Sequence, residues 1–155
     1  MQVFDITDPT RPRLAGSAVT RPNPRGIYAY GSYAYVLSYQ GNTLEIFDIS
    51  SPYRPRSLGW TNTAAGAHSI FVRGPYAFVT AFDAHQLQVF DISDPARPAL
   101  VTYVNTGPCA CGLYVVGNYA YVLNTQGDAF QVFDISRVLN RPANARILRP
   151  TFISR

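Results

Sequence analysis

The segment VFDISDP spans residues 89–95, and it does not stand alone. VFDITDP occupies 3–9, IFDISSP 46–52 and VFDISR 132–137, so the motif returns every 43 residues without insertion or deletion. Outward from it, the rest of the unit keeps the same phase. GSYAYVL at 31–37 matches GPYAFVT at 74–80 and GNYAYVL at 117–123. Just before these, GIYAY (26–30), SIFVR (69–73) and GLYVV (112–116) align. Agreement at this many positions in one register identifies a repeat architecture.

Each unit reads as four short strands. In one copy these are about Ser69–Arg73, Tyr76–Phe82, Gln86–Ile92 and Ala99–Asn105, with a turn at Asp83–His85 and the loop SDPARP before the last. Alternating residues in the second strand suit a pleated surface packed on both faces. A four-stranded antiparallel meander is the natural element, and one meander cannot cover both of its own faces. Stacked copies can, and a period of 40–50 residues with four strands favours a β-propeller over a solenoid. The expected fold is therefore all-β, with about 3.5 blades in one domain over 1–155. Repeats lie at about 26–68, 69–111 and 112–155, with a half-blade at 1–25 and a last strand in ARILRPTFISR. A WD40 array is disfavoured, because Trp60 is the single tryptophan and no Gly-His to Trp-Asp pairing occurs.

The YAYV strand, the strand end V/I-F-D-I-S-D-P and the following R-P resemble the LVIVD-repeat proteins. That resemblance covers nearly the whole chain. It implies a bacterial β-propeller, often extracellular or surface-associated, and no single activity. Phe4, Phe47, Phe90 and Phe133 replace the second aliphatic residue of the family strand, a variation in core packing.

Composition agrees. Of 155 residues 47% are hydrophobic and only 14% charged, and 11 Gly and 12 Pro punctuate the chain as many short elements require. No apolar run is long enough to span a membrane, and MQVFDITDP shows no signal peptide. The net charge of +4 comes from 13 arginines with no lysine. They are scattered, many beside proline, whereas a nucleic-acid surface needs clustering, so no nucleic-acid partner is expected.

Asp5, Asp48, Asp91 and Asp134 could be mistaken for a ring of catalytic carboxylates. Each stands two residues before Ser or Thr at a strand end, where Asp caps free backbone N–H groups, and a structural turn is expected. Asp8 and Asp94, before proline, have the same explanation. That leaves Glu45, Asp83 and Asp128, and Asp128 aligns with Asn42 and His85 in a hairpin turn. A two-carboxylate hydrolytic site is hard to build from these.

Function is best sought where the copies differ. Arg25, His68 and Cys111 form one such column at the start of each first strand, behind the variable loops RPNP, AAGA and GPCA. If the first strands line a central channel, these three side chains stand at its mouth as a candidate ligand rim. Gln40, Asp83 and Gln126 form a second column, expected near the other rim or the blade edge. Tyr39, Tyr53 and Phe82 near these loops could stack on sugars or on a protein. Cys109 and Cys111 would face the same side of an extended chain. With His68 they are weak candidates for a metal, and no metal or other cofactor is expected.

The expected function is a non-catalytic scaffold for protein or surface interaction. It would associate with itself, or with the rest of a longer chain, to complete a ring, since about 3.6 periods fall short of closure. A leading piece, Gln2–Val19, could reach across to a partner. The alternatives are a carbohydrate-binding module, or a metal-binding or hydrolytic site built on Arg25, His68, Cys111 and Asp83.

Overall fold

The computed structural model describes residues 1–140. It holds four antiparallel sheets in chain order. The first pairs β1 (Gln2–Asp5) with β2 (Arg13–Ser17). Two four-stranded meanders follow, β3 (Pro24–Tyr30), β4 (Tyr33–Ser38), β5 (Thr43–Asp48) and β6 (Arg56–Asn62), then β7 (Ala67–Arg73), β8 (Tyr76–Ala81), β9 (Gln86–Asp91) and β10 (Ala99–Asn105). A three-stranded sheet of β11 (Ala110–Val116), β12 (Tyr119–Asn124) and β13 (Ala129–Asp134) leads into the short helix α1 (Ser136–Leu139). The last strand expected in ARILRPTFISR lies outside the described residues.

The strand order follows from turn chemistry. Gly31, Gly74 and Gly117 close the first hairpin of each unit at φ of 59°, 55° and 54°, a left-handed geometry that glycine adopts without penalty. Asn42, His85 and Asp128 hold φ of 47°, 53° and 48° in the next turn. After each third strand an Asp carboxylate turns the chain. Asp5 accepts from the Thr7 N–H (2.9 Å) and hydroxyl (2.6 Å), Asp91 likewise from Ser93, and Asp48 and Asp134 from the N–H of Ser50 and Ser136. The helix α1 was not expected. It arises where Val138 replaces the proline of Pro9, Pro52 and Pro95, which restores an N–H that donates to the Ile135 carbonyl at 3.0 Å.

Asp48 carries an acid-stability consequence. Donation from the Ser50 hydroxyl and N–H, then from Arg56 at 2.9 Å, lowers its carboxyl from 3.8 to about 2. Asp5 and Asp134 are lowered by the same kind of turn. A depressed folded-state value stabilises above the unfolded one and is lost as pH falls through the folded one. The urea midpoint will therefore drop between about pH 4 and pH 2. Asp48→Asn, which keeps an acceptor oxygen, will flatten part of that slope.

The sheets stand side by side with their first strands adjacent, β3 beside β7 and β7 beside β11. Strand alternation then splits each middle strand between two interfaces. Tyr35 and Leu37 of β4 meet Ala77, Val79 and Phe90. Tyr76 and Phe78 of β8 turn the other way, onto Val115, Ala120 and Phe133. Ala34 and Val36, with Phe47, pack against Met1 and Ala18 of the leading pair. Tyr28, Phe71 and Tyr114, one per first strand, form an aromatic ladder with centroids 5.0 Å apart.

Bulges recur with the period. In β3, β7 and β11 the register slips around Arg25, His68 and Cys111, and in β2, β6 and β10 around Ala15, Leu58 and Val101. The first slip explains a small correction. The first strand of the second meander begins at Ala67 rather than Ser69, because the ladder resumes beyond the bulged residue. The next two strands stop one residue early, at Ala81 and Asp91, where Phe82 and Ile92 bond into turns instead.

Polar side chains tie two of the linkers down. Gln88 accepts the Ala64 N–H (2.9 Å) and Gln131 the Gly107 N–H (2.7 Å). Glu45 holds the same place in the first meander but accepts from Ser57 instead, and its second oxygen is buried without a partner among the described residues. An unpaired buried acceptor costs about 1–3 kcal/mol, so Glu45→Gln is expected to stabilise by about 1 kcal/mol. A higher urea midpoint at neutral pH checks this.

Candidate functional site

Strand direction decides which loops share an end. β3, β7 and β11 start where β4, β8 and β12 finish, so Arg25, His68 and Cys111 lie beside the turns bearing Gln40, Asp83 and Gln126. The two columns belong to one rim, not to opposite ones. Tyr53 is the residue that departs. It follows a third strand, which runs the other way, and so lies at the far end beside Phe4, Ile6 and Pro52.

All three residues of the first column are the bulged ones. A bulge leaves one residue out of the ladder and re-aims its side chain, and such kinks concentrate next to binding sites. Arg25 is exposed, with its guanidinium 5.1 Å above the Tyr39 ring. Tyr39 donates its hydroxyl to Asp83 at 2.9 Å across the gap between two sheets. That bond raises the Tyr39 phenol above its ordinary value, the charge of Asp83 adds to it, and Arg25 opposes it. His68 stacks on Phe82 at 5.7 Å and donates from Nδ1 to the Cys111 carbonyl at 3.0 Å. Arg25, Tyr39, Asp83, Phe82, His68 and Cys111 thus form a continuous polar and aromatic strip over three sheets. Gln40 and Gln126 are exposed and make no side-chain hydrogen bond to another described residue.

Cys109 and Cys111 do not lie on one face of an extended strand. Cys109 is buried, and its left-handed φ of 57° is shared by Asn23 (54°) and Gly66 (77°) at the same point of the other units, while Cys111 is bulged. Both thiols are free. No group of three or more His, Cys, Asp or Glu converges among the described residues, so His68, Cys109 and Cys111 do not assemble as a ligand set.

The sequence reading missed the fasteners of this end. The Asn42 amide oxygen accepts the Gly66 N–H (2.9 Å) and His85 Nδ1 accepts the Cys109 N–H (3.0 Å). Both bonds run from a hairpin turn to the next unit's linker, and the aligned polar triple Asn42, His85 and Asp128 was their only trace in sequence.

Comparison with known proteins places this geometry. The LVIVD repeat family matches residues 23–63, 65–106 and 109–137. No curated protein matches the sequence. Among solved structures, a functionally unknown protein from Desulfotomaculum acetoxidans superposes with a TM-score of 0.71 at 18% identity, covering 79% of this chain and 41% of its own. Hydrazine synthase from Kuenenia stuttgartiensis gives 0.67 at 20%, covering 79% and 36%. A Bacteroides fragilis protein named provisionally as a 6-phosphogluconolactonase gives 0.69 at 18%, covering 83% and 41%. The chain spans about two fifths of each of these structures. At these identities the likeness concerns the fold, which is propeller-like.

Proposed function

The chain belongs to the LVIVD-repeat family, and on that premise we propose that it is a non-catalytic propeller-type scaffold. It associates through its open sheet faces, with a second copy completing the ring, and presents the Arg25–His68–Cys111 rim to a protein or surface glycan, outside the cell or at its surface.

One observation carries this reading. The middle sheet is covered on both sides, with every residue of β8 buried, whereas the last described sheet bares Tyr114, Tyr119, Leu123 and Phe130, the last at 61% exposure. Apolar surface of that extent marks a contact face. The polar groups of the rim support the non-catalytic part, since His68 is committed to a backbone carbonyl and Tyr39 to Asp83. Hydrazine synthase shows that a related fold can belong to an enzyme, and a turnover screen would count against the scaffold if it found activity lost with His68→Ala.

Light scattering tests the association. A native mass near twice 17.1 kDa is expected, and a mass that stays at 17.1 kDa at high concentration would overturn it. The aromatic pair Tyr39 and Phe82 favours a glycan over a peptide at the rim. Tyr39→Ala should then abolish binding on a glycan array.

A further inference from the structure

The chain holds two histidines, His68 and His85, and both bind the same short piece of backbone. His68, in β7, donates from Nδ1 to the Cys111 carbonyl at 3.0 Å, an oxygen that the Ser69 hydroxyl also reaches. His85 lies in the turn between β8 and β9, and its Nδ1 accepts the Cys109 N–H at 3.0 Å. The second and third sheets are thus clasped at one end through residues 109–111, once by a histidine donor and once by a histidine acceptor.

The two bonds answer protonation in opposite ways. His68 already carries its proton on Nδ1, so a second proton goes to Nε2 and leaves the bond to Cys111 intact. His85 must keep a lone pair on Nδ1 to hold Cys109, and the Phe82 carbonyl oxygen also stands 3.0 Å from that nitrogen. An imidazolium carries N–H at both ring positions, so it cannot accept at either. Its Nδ1–H has a partner waiting in the Phe82 carbonyl. Phe82 is itself fixed, by donation of its N–H to Gly66 at 2.7 Å and by stacking on His68. The His85 ring therefore stays, and the Cys109 N–H, now facing another donor, must turn away. Cys109 is also strained where it sits. Its φ of 57° is left-handed, a geometry that glycine and asparagine adopt readily at Gly66 and Asn23 and cysteine does not. The neighbouring junction lacks this sensitivity. There the Asn42 amide oxygen accepts the Gly66 N–H at 2.9 Å, and an amide has no proton to gain in this range.

We propose that His85 is a pH-sensitive clasp between the second and third sheets, made while its imidazole is neutral and opened at Cys109 by mild acid. The clasp holds at high pH and is lost as pH falls from 8 to 5, the span in which histidine changes charge. The groups around it do not lock His85 in its charged form. Asp83, in the same turn, takes the Tyr39 hydroxyl, and Arg25 lies over the Tyr39 ring. Asp128 is exposed in the turn between β12 and β13, and the Cys109 and Cys111 thiols are free. Among the described residues His85 forms no ion pair. The opening is local. Thr106 still donates to the His85 carbonyl at 2.8 Å and Gly107 to Gln131 at 2.7 Å, so the sheets stay joined while the backbone at Cys109 is released. On the rim reading given above, the corner at Cys111 loosens with it, but the clasp itself stands without that reading.

The test is amide exchange in the full chain, followed by NMR from pH 8 to pH 5 and expressed as protection relative to an unstructured peptide at each pH. Protection of the Cys109 amide should fall at least about fivefold across that span, as the loss of one ordinary hydrogen bond requires. The Gly66 amide, held by Asn42, should stay level and serves as the internal control. His85→Asn installs the acceptor that Asn42 already provides at a φ of 47°, and it should keep Cys109 protected at every pH. His85→Gly suits the left-handed turn but offers no acceptor, so Cys109 should exchange fast throughout. Level protection of Cys109 in the unmutated chain overturns the proposal. So does a parallel loss at Gly66, or a fall with pH that persists in His85→Asn.

Discussion

Phe90→Ala will lower the stability of the folded chain by about 3–5 kcal/mol, the range for emptying a fully buried aromatic site. Phe90 is 0% exposed and sits between two meanders, against Val79 and Ala77 of its own sheet and the Leu44 and Ile46 face of the one before. Neither sheet can collapse into the cavity without breaking its own ladder. For a chain of this size the melting temperature should fall by roughly 10 °C. The matched experiment is Phe4→Ala at the same repeat position, where half the ring is already in water. That change should cost under about 1 kcal/mol, and a similar cost at both positions would contradict the burial described here. Urea titration of the two variants side by side reads the difference.

The second large effect is expected at Gly59. A Cβ built there would overlap the Ala96 carbonyl oxygen, in the loop of the following unit, and one at Gly16 would overlap the Pro52 carbonyl oxygen in the same way. Both obstacles are backbone, so relief means moving one sheet away from the next. Gly59→Ala should cost about 1–3 kcal/mol, and Gly59→Val more, as overpacking of a tight contact does. Gly31→Ala separates this cause from backbone strain. Gly31 has nothing within 4 Å but a φ of 59°, so alanine there meets only the left-handed penalty, about 1 kcal/mol. If the two alanine variants lose stability equally, the close approach at Gly59 is not what the glycine serves.

The Gly59 contact shows where reading the sequence stops. Gly16 and Gly59 stand one period apart, but nothing in a strand sequence says which loop of the next unit arrives above them. The third member of the column is Thr102, and the segment in phase with that loop is α1, with Val138 in the proline's place. The rim was legible in part. Arg25, His68 and Cys111 were singled out because they differ in one aligned column, and they do share an end of the sheets. Their bulges were invisible, because a bulge is a relation between two strands. For the same reason Tyr53 was grouped with Tyr39 and Phe82. Sequence proximity to a loop does not say at which end of an antiparallel sheet that loop lies.

The sequence by itself determined the repeat, its 43-residue phase, the four-strand meander and the alternation that buries Tyr35 and Ala34 on opposite faces. These are local properties, set by side-chain period and turn chemistry within a few residues of each other. Only the tertiary structure decided that Tyr39 reaches Asp83 across sheets, that Cys109 is left-handed, and that Phe4 lies half bare where its three counterparts are covered. Those facts depend on how one unit meets the next. Identical motifs read identically along the chain, and only packing reveals which copies are covered.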